Sequence, residues 1–546
     1  MSASLFEEIK MCVPGPTDTV KPGERVAVGL SFSLGEGVES TGDVTYEVVT
    51  REGQVLDSGS GPLTKEGDSA TMELTIQVPE GFQGRWLGIQ LRTYADANGL
   101  VDLTGYPPLG ITVWQGGSVY PAGALGNILG VNQHYTQGMS HEYLRLLTEL
   151  GVKWARDNVS WAIIEQTPGN YVFPAAFEER LRFYEKNNLA LSFTLFGPNA
   201  EAYPDDPYDE EAYGRFCAAV ARKLREEYDL EFILILWNEP NNFGFRRDFG
   251  GQWYGAPPSP WVEKYVRMAN AGAKAIHQYD PSILTFTNSD VISNHYWFME
   301  QGLAPEIKGF AIHPYGAKAG YPEVQHYDNN VPWVRPFTVM DADQSTRSLF
   351  LRLKEAYTAA LGHPPVMVIT EYGRLIEGVW KEEEAPFPQV REEVVAAELP
   401  RFYIAMHSIG VESLQWFTLA DWRHERGHGL VYADGRRRQT FTAFKTLSLE
   451  LGEYSFLRQV AGKETPTKGL QAYLFKGSAG YKLALWNIEG PIPVTIMRDH
   501  TGPVRVVSHL GEELSVAVED QVIGLEVGPA PVYISGVGAG VVLSVG

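Results

Sequence analysis

The stretch Phe232-Ile233-Leu234-Ile235-Leu236-Trp237-Asn238-Glu239-Pro240-Asn241 decides how this chain is read. Its apolar run predicts a buried strand, and the run stops abruptly in Trp-Asn-Glu-Pro. A carboxylate beside an amide at the exit of such a strand serves a core badly and acid chemistry well. Val366-Met367-Val368-Ile369-Thr370-Glu371-Tyr372-Gly373 repeats the design. Glu239 and Glu371 are therefore read as a pair of strand-end carboxylates.

Outward from these two segments, residues from Gly126 onward alternate β with α. Strands are predicted at 128–132, 152–156, 190–196, 232–238, 283–287, 307–313, 366–371 and 413–418. Amphipathic helical stretches lie between them, among them 208–228, 261–278, 345–361 and 391–410. This order over 121–450 predicts a closed (β/α)₈ TIM barrel, with Glu239 on the fourth strand and Glu371 on the seventh. A doubly wound open sheet is the competing architecture, but no Gly-x-Gly-x-x-Gly follows a first strand. The insertion from Pro314 to about Gln344 follows strand six and is expected to wall the cleft.

The flanks read differently. Val26-Ala-Val-Gly-Leu-Ser-Phe-Ser, Val44-Thr-Tyr-Glu-Val-Val and Ala70-Thr-Met-Glu-Leu-Thr-Ile-Gln-Val alternate with period two between Gly, Pro and Asp turns. They predict an Ig-like β-sandwich over 1–120. Similar runs from Leu470 to Val532 predict a second sandwich over 451–546, ending in a strand within 532–545. A multidomain chain agrees with its 546 residues.

Formal charge is −22, with 67 acidic residues against 45 Lys and Arg. That field disfavours nucleic acid and anionic membrane and suits a neutral substrate. Cys12 and Cys217 alone imply no disulfide framework. The opening residues lack a basic region followed by a long apolar one, so no signal peptide is expected within this sequence. A cytoplasmic protein, or a secreted one whose leader has been removed, would look the same.

Paired carboxylates across a barrel mouth are what glycoside hydrolysis needs. At about 5 to 5.5 Å apart one attacks the anomeric carbon while the other protonates the departing oxygen, and configuration is retained; a wider gap admits water and inverts it. Glu239 is the expected acid/base and Glu371 the expected nucleophile. Asn238 can donate its amide to a sugar hydroxyl. Tyr315 and Arg156 can hold Glu371 ionised, although Arg156 also fits a structural salt bridge, and Tyr315 with His313 a loop closure. Trp416 is expected as a platform under the sugar, core packing being its alternative. Asn132 and His134 are candidate hydroxyl ligands or loop residues. Aromatics in presumed loops, Trp253 and Tyr254 among them, suggest a groove with more than one sugar subsite.

No cofactor or metal is expected. Asp421-x-x-His424-Glu425-x-x-His428 contains His-Glu-x-x-His, but Gly427 and Gly429 argue for a loop there rather than a zinc-binding helix. A carbohydrate-binding or structural protein on a degenerate hydrolase scaffold is the non-enzymatic alternative; it would keep the aromatics and lose the carboxylates.

Asn238-Glu239-Pro240, with Glu371 in the nucleophile position, resembles the motif of clan A, the retaining (β/α)₈ glycoside hydrolases. The resemblance covers about 125–450. It implies sugar-binding or nucleophile-supporting roles for Arg156, His313, Tyr315 and Trp416, and a β-linked glycan as substrate. Trp154-Ala-Arg-Asp-Asn-Val-Ser-Trp161, Glu165, Gly169-x-Tyr171-x-Phe173 and a trailing sandwich are most similar to glycoside hydrolase family 39. Family 5 is the near alternative, but the strand-three exit Phe193-Thr-Leu-Phe-Gly197-Pro lacks the histidine often found there.

Overall fold

The computed structural model describes residues 6–12, 19–20, 23–34, 42–50, 53–67, 69–80, 82, 86–96, 99–104, 106, 109–113, 120–462 and 468–545. The first five residues, part of the segment read for a signal peptide, lie outside the described residues, as does the stretch 114–119 before the expected boundary at 120. Residues 1–119 with 144–151 make one compact unit, and residues 120–143 with 152–546 make another.

The first unit holds two sheets. One runs Phe6–Cys12, Arg25–Leu34, Ser69–Gln77, Thr64–Glu66; the other is built around Trp86–Asp96 and Asp43–Thr50. Alternation does the work here: Val26, Val28, Leu30 and Phe32 point inward from one strand, and Met72, Leu74 and Ile76 from its neighbour. They meet Val44, Val48, Leu87 and Ile89 of the second sheet in one apolar core.

The second unit contains a closed barrel of parallel strands: β1 (Leu129–Asn132), β2 (Trp154–Ser160), β3 (Ala190–Phe196), β4 (Phe232–Leu236), β5 (Leu284–Ser289), β6 (Gly309–Ile312), β7 (Val366–Tyr372) and β8 (Ser413–Trp416). Trp154, Ala190, Ile233, Ile235, Phe286, Ala311 and Val368 fill its interior. Gly130 makes room for this filling, since a Cβ there would lie 2.8 Å from Trp154 Cβ. Helices surround it with apolar stripes at helical spacing. Glu210–Glu227 buries Tyr213, Phe216, Cys217, Val220 and Leu224, and Asp209 accepts the Ala212 N–H at its start.

Two strand bounds differ from expectation in ways that matter. β2 continues to Ser160, so Arg156 is the third residue of the strand and not its end. β4 stops at Leu236, and the next residues leave strand geometry, with φ of 81° at Trp237 and 39° at Glu239.

The C-terminal residues form a five-stranded and a four-stranded sheet. The expected final strand is broken into Val532–Val537 and Val542–Val545, which belong to different sheets, with a turn closed by Val541 N–H on Gly538 O between them. Buried charges join this sandwich to the barrel. Lys482 Nζ lies 2.8 Å from Glu450, and Trp486 Nε1 donates to Glu323, which also pairs with Arg401 of the helix Glu392–His407. Glu323 belongs to the insertion expected to wall the cleft. That part of it ties down the C-terminal sandwich instead.

Candidate active site

At β7 the ladder with β8 carries an extra residue: Ile369 pairs with Leu414, but Tyr372, not Glu371, pairs with Trp416. Val368 faces the interior, so strict alternation would turn Thr370 in and Glu371 out. The bulge lets both face inward. Thr370 Oγ1 then lies 2.9 Å from His313 Nε2, and Glu371 meets Arg156 and Tyr315. Glu239 is brought in by the left-handed residues after β4, and its backbone N–H donates to Asn288 Oδ1 of β5 at 2.7 Å.

A carboxylate oxygen of Glu239, a ring nitrogen of His313 and a carboxylate oxygen of Glu371 all lie within 4.8 Å of one another. Both glutamates are 8 % exposed. His313 Nδ1 is 2.6 Å from Glu239 Oε1 and 3.5 Å from Glu371 Oε2. Asn288 Oδ1 accepts the Glu239 N–H, and its amide nitrogen lies 3.1 Å from Ala311 O, 3.2 Å from Thr370 Oγ1 and 3.1 Å from His313 Nε2.

Arg156 organises the floor. Nη1 donates to Glu371 Oε1 at 2.6 Å and to Asn132 Oδ1 at 2.7 Å, and Nη2 donates to Asn238 Oδ1 at 2.7 Å. The Tyr315 hydroxyl donates to Glu371 Oε2 at 3.1 Å. Burial pushes the Glu371 carboxyl upward, but the charges of His313 and Arg156 and the Arg156 hydrogen bond outweigh it and hold the group below its ordinary value. Burial, then the nearby Glu371 and Glu239 charges, push the Tyr315 phenol well up, so it stays a donor.

Glu239, Glu371, Asn238, Arg156, His313 and Tyr315 thus converge. Asn238 spends its oxygen on Arg156, which leaves its amide hydrogens as the donors. Three other candidates make contacts of their own. Trp416 is 1 % exposed and faces outward from the barrel, edge-on to Tyr372, which stacks on Phe402 of the helix Glu392–His407. Alternation puts Ser413, Gln415 and Phe417 on the inner side, and the Phe417 ring meets His134 and His428 there. Asn132 is fully buried, with its amide donating to Thr370 O at 2.6 Å and its oxygen accepting from Arg156 at 2.7 Å, so it braces the arginine. His134 is buried with Nε2 2.6 Å from Glu425.

Three residues beside Glu239 escaped the sequence reading. Asn242 Nδ2 lies 3.0 Å from both Glu239 Oε2 and Asp290 Oδ2, so one amide bridges two acids. Asn241 Nδ2 donates to Asp290 Oδ1 at 2.8 Å. Burial and then the Glu239 charge push the Asp290 carboxyl up to about 7. Asp290 follows β5 directly, and its strand-exit position was the available signal.

The Glu239, His313 and Glu371 atoms are close enough to face a cation, and Arg156 sets its positive charge against Glu371. In the His-Glu-x-x-His stretch, Arg423–Glu425 forms one 3₁₀ turn. Asp421 pairs with Arg438 and accepts the N–H groups of Gly427 and Gly429, and burial pushes the His428 imidazole down to about 4. That segment is a hydrogen-bonded loop. No described helix is long and apolar enough to cross a membrane.

No protein-family model matches the chain, and no curated protein matches it. Among solved structures, a family 39 glycoside hydrolase from the gut symbiont Bacteroides cellulosilyticus is 17 % identical with a TM-score of 0.61, over 96 % of this chain and 99 % of that one. A cycloisomaltooligosaccharide glucanotransferase from Paenibacillus is 8 % identical with a TM-score of 0.50, over 98 % and 100 % of the two chains. At these identities the likeness is one of fold: a (β/α)₈ barrel preceded and followed in the chain by β-sandwiches.

Proposed function

We propose that this chain is a retaining glycoside hydrolase of clan A, most similar to family 39, that cleaves β-linked glycans of neutral sugars by double displacement. The observation that carries the reading is the pair of carboxylates, with oxygens of Glu239 and Glu371 within 4.8 Å at the barrel mouth. Such closeness suits a nucleophile and an acid on one anomeric centre and leaves little room for an intervening water. Arg156 and Tyr315 favour the ionised form of Glu371, as a nucleophile requires.

In this mechanism Glu371 attacks the anomeric carbon as Glu239 gives its proton to the departing oxygen, forming a glycosyl ester on Glu371. Glu239, now ionised, takes a proton from water, which attacks the same carbon and releases the sugar with its original configuration. The Asn238 amide faces the sugar hydroxyl next to the reacting carbon, a contact that strengthens as positive charge develops. Phe417 takes the stacking role expected of Trp416, from the inward position of the same strand exit. The Arg156 guanidinium is 2 % exposed and committed to Glu371, Asn132 and Asn238, so it offers no free fork to a sugar carboxylate. That commitment and the net charge of −22 both favour a neutral sugar.

The test is hydrolysis of a panel of aryl β-glycosides and β-linked oligosaccharides, with the anomer first released followed by proton NMR. First release of the β-anomer supports the reading. First release of the α-anomer, or no turnover across the panel, overturns it.

A further inference from the structure

Trp253 is 40 % exposed, yet the residue is held at its ring edge and at its backbone. Its indole Nε1 donates to Asn242 Oδ1 at 2.7 Å, and its own carbonyl accepts from Asn294 Nδ2 at 3.3 Å. The surrounding loop is pinned as well: Gln252 N–H donates to Ser259 Oγ at 3.0 Å, and Gln252 O accepts from Trp261 Nε1 at 2.8 Å. A solitary exposed apolar side chain needs no explanation. One whose polar edge is anchored, while much of its surface stays in solvent, is pre-organised to receive a flat apolar face.

The anchor also fixes what Trp253 stands beside. Asn242 spends its oxygen on the indole and its amide nitrogen on Glu239 Oε2 and Asp290 Oδ2. The Glu239 oxygen toward His313 is Oε1, so Asn242, and Trp253 through it, attach to the other oxygen of the acid. With Glu371 attacking one face of the anomeric carbon, the leaving group departs on the side of the acid. Resting on the function proposed above, we infer that Trp253 is the floor of the leaving-group subsite and that this subsite takes a neutral pyranose by stacking. The bond cleaved then joins two sugar units, and Trp253 selects for a sugar as the group released.

The experiment compares leaving groups on wild type, Trp253→Ala and Trp253→Phe. The probes are β-glucosyl, β-xylosyl, β-galactosyl and β-mannosyl fluoride, whose fluoride cannot stack, and the β-1,3- and β-1,4-linked trisaccharides of the same sugars. The expected result is a loss of about tenfold or more in kcat/KM for Trp253→Ala on a trisaccharide, with fluoride hydrolysis kept within about twofold and Trp253→Phe in between. An equal loss on both probe types, no loss on trisaccharides, or a wild type that turns over fluorides but no trisaccharide overturns the subsite. A wild type inert toward every fluoride and every trisaccharide overturns the hydrolase reading itself, and one that cleaves trisaccharides but no fluoride overturns the subsite's selectivity, so the two failures are distinct.

Discussion

Arg156 Nη1 lies 2.6 Å from Glu371 Oε1, joining the third residue of β2 to the exit of β7 across the barrel. Both groups are buried, so each charge depends on the other for solvation, and the guanidinium extends the same support to Asn132 and Asn238.

A lysine at position 156 keeps the charge but cannot span Glu371 and Asn238 at once. Arg156→Lys is expected to lower kcat/KM by about 10²-fold and to move the acidic limb of the pH profile upward, toward the ordinary carboxylate range. Measuring kcat/KM between pH 3 and 8 checks this. An unmoved acidic limb would show that the guanidinium does not hold Glu371 ionised.

The two glutamates are separable by chemical rescue. Glu371→Ala is expected to lose at least about 10³-fold in turnover while keeping its fold, and azide to restore it with an α-glycosyl azide as product. Glu239→Ala should be rescued only with activated leaving groups and yield the β-azide. Product NMR reads the outcome, and near wild-type cleavage of a natural glycan by either variant contradicts the roles.

Asp290 faces Glu239 through Asn242, while His313, Glu371, Tyr315 and Arg156 occupy the other side of the pocket. Burial and then the Glu239 charge push the Asp290 carboxyl up to about 7, so its own ionisation falls near neutral pH. Asp290→Asn removes that titration, so an inflection near pH 7 in the wild-type kcat/KM profile measured between pH 5 and 9 is expected to vanish, while the rate at pH 5 stays within about threefold.

Stability reports the same group independently. A carboxyl whose folded value lies above its ordinary 3.8 binds its proton more tightly when folded, so its stabilising contribution is complete below about 4 and lost as pH rises to about 7. Asp290→Asn should flatten the decline in Tm between those values. A parallel decline in both proteins would remove Asp290 from the account.

Trp416 packs in the barrel wall, whereas the proposed function has Phe417 stack on the sugar, and two substitutions separate them. Trp416→Ala opens a cavity between β8 and the helix Glu392–His407 and should cost about 3–5 kcal/mol of stability. Phe417→Ala should mainly reduce kcat/KM, by about tenfold or more, with a smaller change in Tm. Denaturant unfolding beside kinetics on one aryl glycoside distinguishes them.

The alternation of apolar runs with amphipathic helices, the period-two flanks and the two strand-exit glutamates were all legible in the amino-acid order, because helix and strand periodicity are local properties. Which way a side chain faces at a strand exit is not local. Glu371 turns inward through one unpaired residue in the ladder with β8, Trp416 turns outward through the same ladder, and Glu239 follows left-handed backbone after β4. Asn132 proved to be a support and Asp290 a neighbour of the acid because their partners come from strands remote in the chain. Local pattern thus determined the scaffold and the two glutamates as candidates. Register and hydrogen-bond partners, which exist only once distant strands have closed the barrel, decided which groups surround them.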